Sequence, residues 1–125
     1  MRFVCRLLAL VALLFGLVTI VTGTRVLAGS DPGYPVYQPL LVYNVAMGFA
    51  YIAAGVLAWR SAQRGKRAAL AIFALNLVVL AAIAWLYSSG GAVAPESVRA
   101  MILRTSVWLV LFLGFAWAGR RAARA

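Results

Sequence analysis

Two apolar runs, each long enough to cross a bilayer, flank the most basic stretch of this chain, Arg60-Ser-Ala-Gln-Arg-Gly-Lys-Arg67. Two further apolar runs lie outside them, and each of the four approaches the roughly 20 residues that a hydrocarbon thickness of about 30 Å asks of a helix. A chain of 125 residues that is 66% hydrophobic cannot hide that surface in a soluble core. The expected fold is an all-α membrane protein: a four-helix transmembrane bundle in up-down order, forming a single domain over residues 1–125. Helices are expected at about 4–24, 40–59, 68–87 and 98–118, with outer loops at 25–39 and 88–97 and an inner basic loop at 60–67.

The formal net charge of +10 would point a soluble protein toward nucleic acid, but here the placement of the charges points to a membrane. Arg2 and Arg6 precede the first run, Arg60, Arg64, Lys66 and Arg67 separate the second from the third, and Arg120, Arg121 and Arg124 follow the fourth. With four crossings, these nine of the twelve basic residues share one side. Arg25, Arg99 and Arg104 share the other side with both acids, Asp31 and Glu96. The positive-inside bias then sets both termini in the cytoplasm, in a bacterial-type inner membrane, with lipid rather than nucleic acid as the partner. Arg60, Arg64, Lys66 and Arg67 either attract anionic headgroups, at roughly 1 kcal/mol each near the surface, or act only as solvated topogenic charge.

Chemistry of its own is not expected of this chain. Cys5 is the only cysteine and histidine is absent, so a disulfide, a dithiol couple and the usual zinc or haem ligands are missing, and no cofactor is expected. The sequence places no carboxylate inside an apolar run, pairs no nucleophile with a base, and carries no glycine-rich phosphate loop. Cys5, beside Arg6 at the inner interface, reads as an inert packing residue or a palmitoylation site.

Arg2, Arg6 and the run from Leu7 to Thr24 also fit a secretory signal peptide, with Val26-Leu27-Ala28 as its cleavage site. The run exceeds the 7 to 15 residues usual for a signal core, which favours an uncleaved first helix; cleavage would leave three helices. On that helix Cys5, Ala9, Ala12, Gly16, Thr19 and Gly23 share one face. On the second, Asn44, Gly48, Tyr51 and Gly55 do the same. Small-residue faces let backbones approach closely, so Gly16, Gly23, Gly48 and Gly55 are expected at the tightest helix contact, with Tyr51 across from Thr19. Asn76, near the middle of the third run, needs a partner at that depth, either a neighbouring helix or a solute.

The first outer loop is dense in turn formers from Gly29 to Pro35, and Pro39 suits the first turn of helix two. Tyr34, Tyr37 and Tyr43 fit an outer aromatic belt or a ligand-gripping loop. The second outer loop reads as short and flexible. Beyond it lies the one polar constellation: Arg104 about a turn into helix four, Thr105 beside it, Asn44 at comparable depth, and Asp31 and Glu96 in the adjoining loops. Arg104 either binds a lipid phosphate, a carboxylate or a partner's acid, or locks the loops by pairing with Glu96, Asp31 or Asn44.

In size and helix count alone the chain resembles the small multidrug resistance transporters. Their proton-coupling glutamate on the first helix has no counterpart in residues 7–24. The favoured role is a non-catalytic accessory, structural or lipid-binding subunit working through helix contacts, with a membrane-protein partner. The alternative is a transporter or channel protomer in a homo-oligomer, with its polar site at Arg104 and Asn44.

Overall fold

Long apolar runs punctuated by proline, glycine and serine give four helices: α1 (Arg2–Leu27), α2 (Gln38–Arg60), α3 (Ala62–Ser88) and α4 (Pro95–Arg124). All four are long and apolar enough to cross a membrane. The computed structural model describes residues 2–29, 31, 33, 37–91 and 93–124, with side chains from Phe3 to Arg121 among them. Pro32, Tyr34 and Pro35 of the expected outer turn, and the side chains of Arg2 and Arg124, lie outside the described residues.

The expected inner loop at 60–67 narrows to one residue, Ser61. Its extended backbone (φ −156°, ψ 125°) breaks the helix; its N–H closes α2 on Leu57 O at 2.9 Å, and its side chain accepts from Arg64 N at 3.4 Å to cap α3. Arg64, Lys66 and Arg67 therefore sit in the first two turns of α3. Three cations at a helix N-terminus oppose the macrodipole, which is why the sequence reads as loop there. They are tolerated because Arg64 and Arg67 are exposed and Lys66 only half-buried. Gly65 completes the reversal, since a Cβ there would lie 2.5 Å from that of Ala58.

At the other end α3 closes in a Schellman turn: Gly90 takes φ +81°, Gly91 N donates to Leu86 O at 2.7 Å, and Gly90 N to Tyr87 O at 3.2 Å. The segment after it is not the open linker its composition suggests. Val93 packs with Leu40, Ile83 and Met101, and Ala94 is buried beside it in sequence. Burial of those two residues lets α4 start at Pro95, three residues earlier than expected, with proline at a position whose N–H has no helical partner to lose. In α2, Pro39 occupies the first turn.

On α1 the buried residues are the six of the small face, Cys5, Ala9, Ala12, Gly16, Thr19 and Gly23. Residues of this face meet α2 in steady register: Cys5 against Ala58, Ala9 with the neighbouring Leu13 against Gly55, Gly16 against Gly48 and Ile52, Gly23 against Val45 and Leu41. One end of the bundle thus holds Cys5, Ser61 and Gly119, and is called the Ser61 end below; the opposite, loop end holds Gly23, Gly90 and Pro95. Next to the glycine contact the interior is aromatic. Tyr51 stacks on Trp108 at 4.8 Å, and Phe15 tilts against both, at 5.3 and 6.4 Å. The outward faces stay apolar, with Val78, Val110 and Leu103 more than 60% exposed, as lipid-facing surfaces require.

Candidate functional site

Polar side chains inside a bundle need partners, and Tyr43 and Tyr51 of α2 find theirs in Asn76 of α3. Tyr43 Oη donates to Asn76 Oδ1 at 2.8 Å, and Asn76 Nδ2 donates to Tyr51 Oη at 3.2 Å. Tyr43, expected in an interfacial belt, is instead half-buried and turned inward to this amide. Tyr51 lies against Phe15 and Trp108, while Thr19, the neighbour expected for it, turns its hydroxyl onto Phe15 O at 2.7 Å.

The loop half of the bundle carries the remaining polar groups. Because α4 begins at Pro95, Arg104 is nine residues along, about 14 Å down the axis at 1.5 Å per residue, and so in the third turn rather than the second. There it lines a recess of about 180 Å³ with Thr19 and Thr22 of α1, Asn44 of α2, and Ser97 a little under two turns above it. Arg104 is half-buried, Asn44 is 9% exposed and Thr19 4%. The recess continues into a second hollow of about 190 Å³, which shares Thr19, Thr22, Ala100 and Arg104 but is otherwise walled by Phe15, Val18 and Leu103. Together they form a furrow along the seam of α1 and α4, polar toward the loop end and apolar toward the aromatic core.

The donors and acceptors of the furrow are unevenly matched. Thr19 donates to Phe15 O, and Thr22 to Val18 O at 2.8 Å, so both protons are held by their own helix while the oxygens keep acceptor capacity. Asn44 Oδ1 is buried and accepts no hydrogen bond. The Arg104 guanidinium supplies the charge. The chain matches no known protein family, curated protein or solved structure. What the furrow can do therefore has to come from its own chemistry.

Of the outer polar constellation read from the sequence, Arg104 and Asn44 come together at the recess, whereas Thr105, Asp31 and Glu96 do not line it. Thr105 donates to Met101 O at 2.7 Å, on the buried side of α4. Asp31 Oδ1 accepts from Gly33 N at 2.8 Å within its own turn, and Glu96 is exposed in the first turn of α4. Both acids stand outside the described residues that line the recess. Sequence reasoning missed Thr22 and assigned Thr19 only to packing. Their signal was there: Thr19, Thr22 and Gly23 stand at i, i+3 and i+4, one polar stripe at the end of the helix that faces Arg104.

At the Ser61 end, Arg60, Arg64 and Arg67 are exposed, Arg6 lies 4.8 Å above the Trp59 ring, and Arg121 lies 5.6 Å above that of Trp117. Phe3, Leu7 and Leu10 join Arg6 and Trp59 around an apolar hollow of about 360 Å³. Among the described residues, no three His, Cys, Asp or Glu side chains converge as a metal site would need.

Proposed function

We propose that this chain is a multi-pass protein of a bacterial-type inner membrane, with its helices in up-down order and both termini cytoplasmic. It acts without catalysis, as an accessory, structural or lipid-binding subunit. The α1 and α2 register supports the helix order, and the basic residues at the Ser61 end support the orientation.

The observation that carries the role is what fills the interior. Trp108, Tyr51, Phe115, Met101, Leu111 and Asn76 are all essentially inaccessible, and they occupy the space through which a solute would have to pass in a single copy. Function is left to the outward surfaces: apolar helix faces for a membrane partner, and the Arg104 furrow for an anionic group. Isolation from native membranes in mild detergent tests this. A stoichiometric larger membrane protein should accompany the chain. A symmetric homo-oligomer that passes a solute across liposomes would replace the accessory role with that of a transporter or channel protomer.

A further inference from the structure

The furrow between α1 and α4 changes character along its length in the way an amphiphile does. Its loop-end half offers a fixed cation, Arg104, the hydroxyls of Thr19 and Thr22, and one buried acceptor that lacks a donor, Asn44 Oδ1. Its deeper half offers hydrocarbon, from Phe15, Val18 and Leu103. A buried amide oxygen without a partner carries a desolvation cost, which a donor arriving with the ligand would remove. A carboxylate would meet the charge of Arg104 but bring no proton to Asn44 Oδ1, and neither a carboxylate nor a free phosphate would use the apolar half.

We propose that the furrow binds one phospholipid, its phosphate on Arg104, a hydrogen-bond-donating headgroup substituent on Asn44 Oδ1, and one acyl chain along Phe15, Val18 and Leu103. The unpartnered Asn44 Oδ1 selects the headgroup. An ethanolamine ammonium or a glycerol hydroxyl has protons to give, whereas choline, fully methylated, has none. Ethanolamine and glycerol lipids are therefore held and choline lipid discriminated against, although all three carry the same phosphate. This rests on the lipid-contact side of the function proposed above and narrows it to a headgroup class.

The test uses the full chain, delipidated in mild detergent and offered phosphatidylethanolamine, phosphatidylglycerol and phosphatidylcholine with identical acyl chains, with bound lipid counted by native mass spectrometry. One ethanolamine or glycerol lipid per chain should be retained up to about ten-fold more tightly than choline lipid, the scale of one net hydrogen bond. Asn44→Leu should erase that preference while choline lipid still binds, and Arg104→Gln should weaken all three about ten-fold. Val18→Trp, at a position 59% exposed and so harmless to the fold, should block the tail groove and serves as the variant if Arg104→Gln does not fold. Equal retention of choline lipid, or unchanged retention in Arg104→Gln or Val18→Trp, would overturn the proposal. So would water-soluble glycerophosphoethanolamine competing as well as the diacyl lipid, which would mark the site as one for a soluble phosphate. Loss of the headgroup preference while a membrane partner still co-purifies would sink the lipid assignment alone; a preference in a chain that transports a solute would sink the accessory role alone.

Discussion

Tyr43 Oη donates to Asn76 Oδ1 over 2.8 Å, joining α2 to α3 at an amide that is wholly inaccessible. Asn76 also donates to Tyr51, which stacks on Trp108, so one amide links a polar pair of helices to the aromatic core. Hydrogen bonds of this kind between membrane helices are worth about 0.6 to 2 kcal/mol each. Tyr43→Phe should therefore lower thermal stability in detergent by an amount in that range. A cycle with Asn76→Leu should show coupling, because once the amide is gone the Tyr43 hydroxyl has nothing left to lose. Strict additivity of the two substitutions would mean the bond contributes nothing.

The glycines of the α1/α2 contact differ in what they face, and so should their alanine variants. A Cβ on Gly16 would meet Gly48 O at 2.7 Å and Ile52 N at 3.0 Å, both backbone atoms. On Gly48 it would meet a side-chain atom, Ile20 Cγ1, at 2.5 Å, while the backbone atom Gly16 O lies farther off at 3.2 Å. Overpacking costs typically about 1 to 3 kcal/mol, and more where nothing can yield. Gly16→Ala should thus be the more destabilising of the two, and Gly48→Leu should separate the helices outright. Melting curves that ranked Gly48→Ala below Gly16→Ala in stability would contradict this packing.

Cys5 is buried, and its Sγ donates to Ala58 O at 3.1 Å. An interior thiol in helix contact is shielded from reagents and from acyl transfer alike. Maleimide should leave Cys5 unmodified in the folded protein and react once it is denatured in dodecyl sulfate, whereas a thiol introduced by Ser61→Cys should react at once. Labelling of native Cys5 at the rate of the Ser61→Cys thiol would show that α1 does not seat on α2 at this end.

Much of the fold was legible because its signals are local. Run length gives the number of helices, and the i, i+3, i+4 spacing of small residues names every buried position of α1 from Cys5 to Gly23. The boundaries were harder, because composition and capping disagreed there: cations concealed the start of α3, and Val93 and Ala94 are buried only by contacts that no sequence window contains. The site was half legible. An arginine in an apolar run draws the eye, but threonines on another helix become its companions only through the crossing of α1 and α4. Tyr43 was misplaced for the same reason, since a tyrosine near a helix end fits an interfacial belt equally well until α3 is brought alongside.

Orientation follows from the charges at the Ser61 end, and they can be moved independently of the fold. Arg60, Arg64 and Arg67 are exposed and Lys66 is half-buried, so glutamine at these four positions removes topogenic charge without opening the core. In the unaltered chain, reporters fused at residues 1 and 125 should both report the cytoplasm. With the four glutamines, and with extra arginines placed in the exposed turn at Ser88 to Gly91, a fraction of molecules should invert, and both reporters should change compartment together. Agreement of the two reporters in either orientation is the outcome that distinguishes an even number of crossings from an odd one. If α1 were removed as a signal peptide, three crossings would remain, the first reporter would be lost with α1, and Gly48, Gly55 and Val45 would lose Gly16, Leu13 and Gly23, the surface they pack against. An intact mass that lacks the first 28 residues, or reporters that always disagree, would therefore refute the four-helix arrangement and the Arg104 furrow together, since Thr19 and Thr22 of α1 form one wall of it.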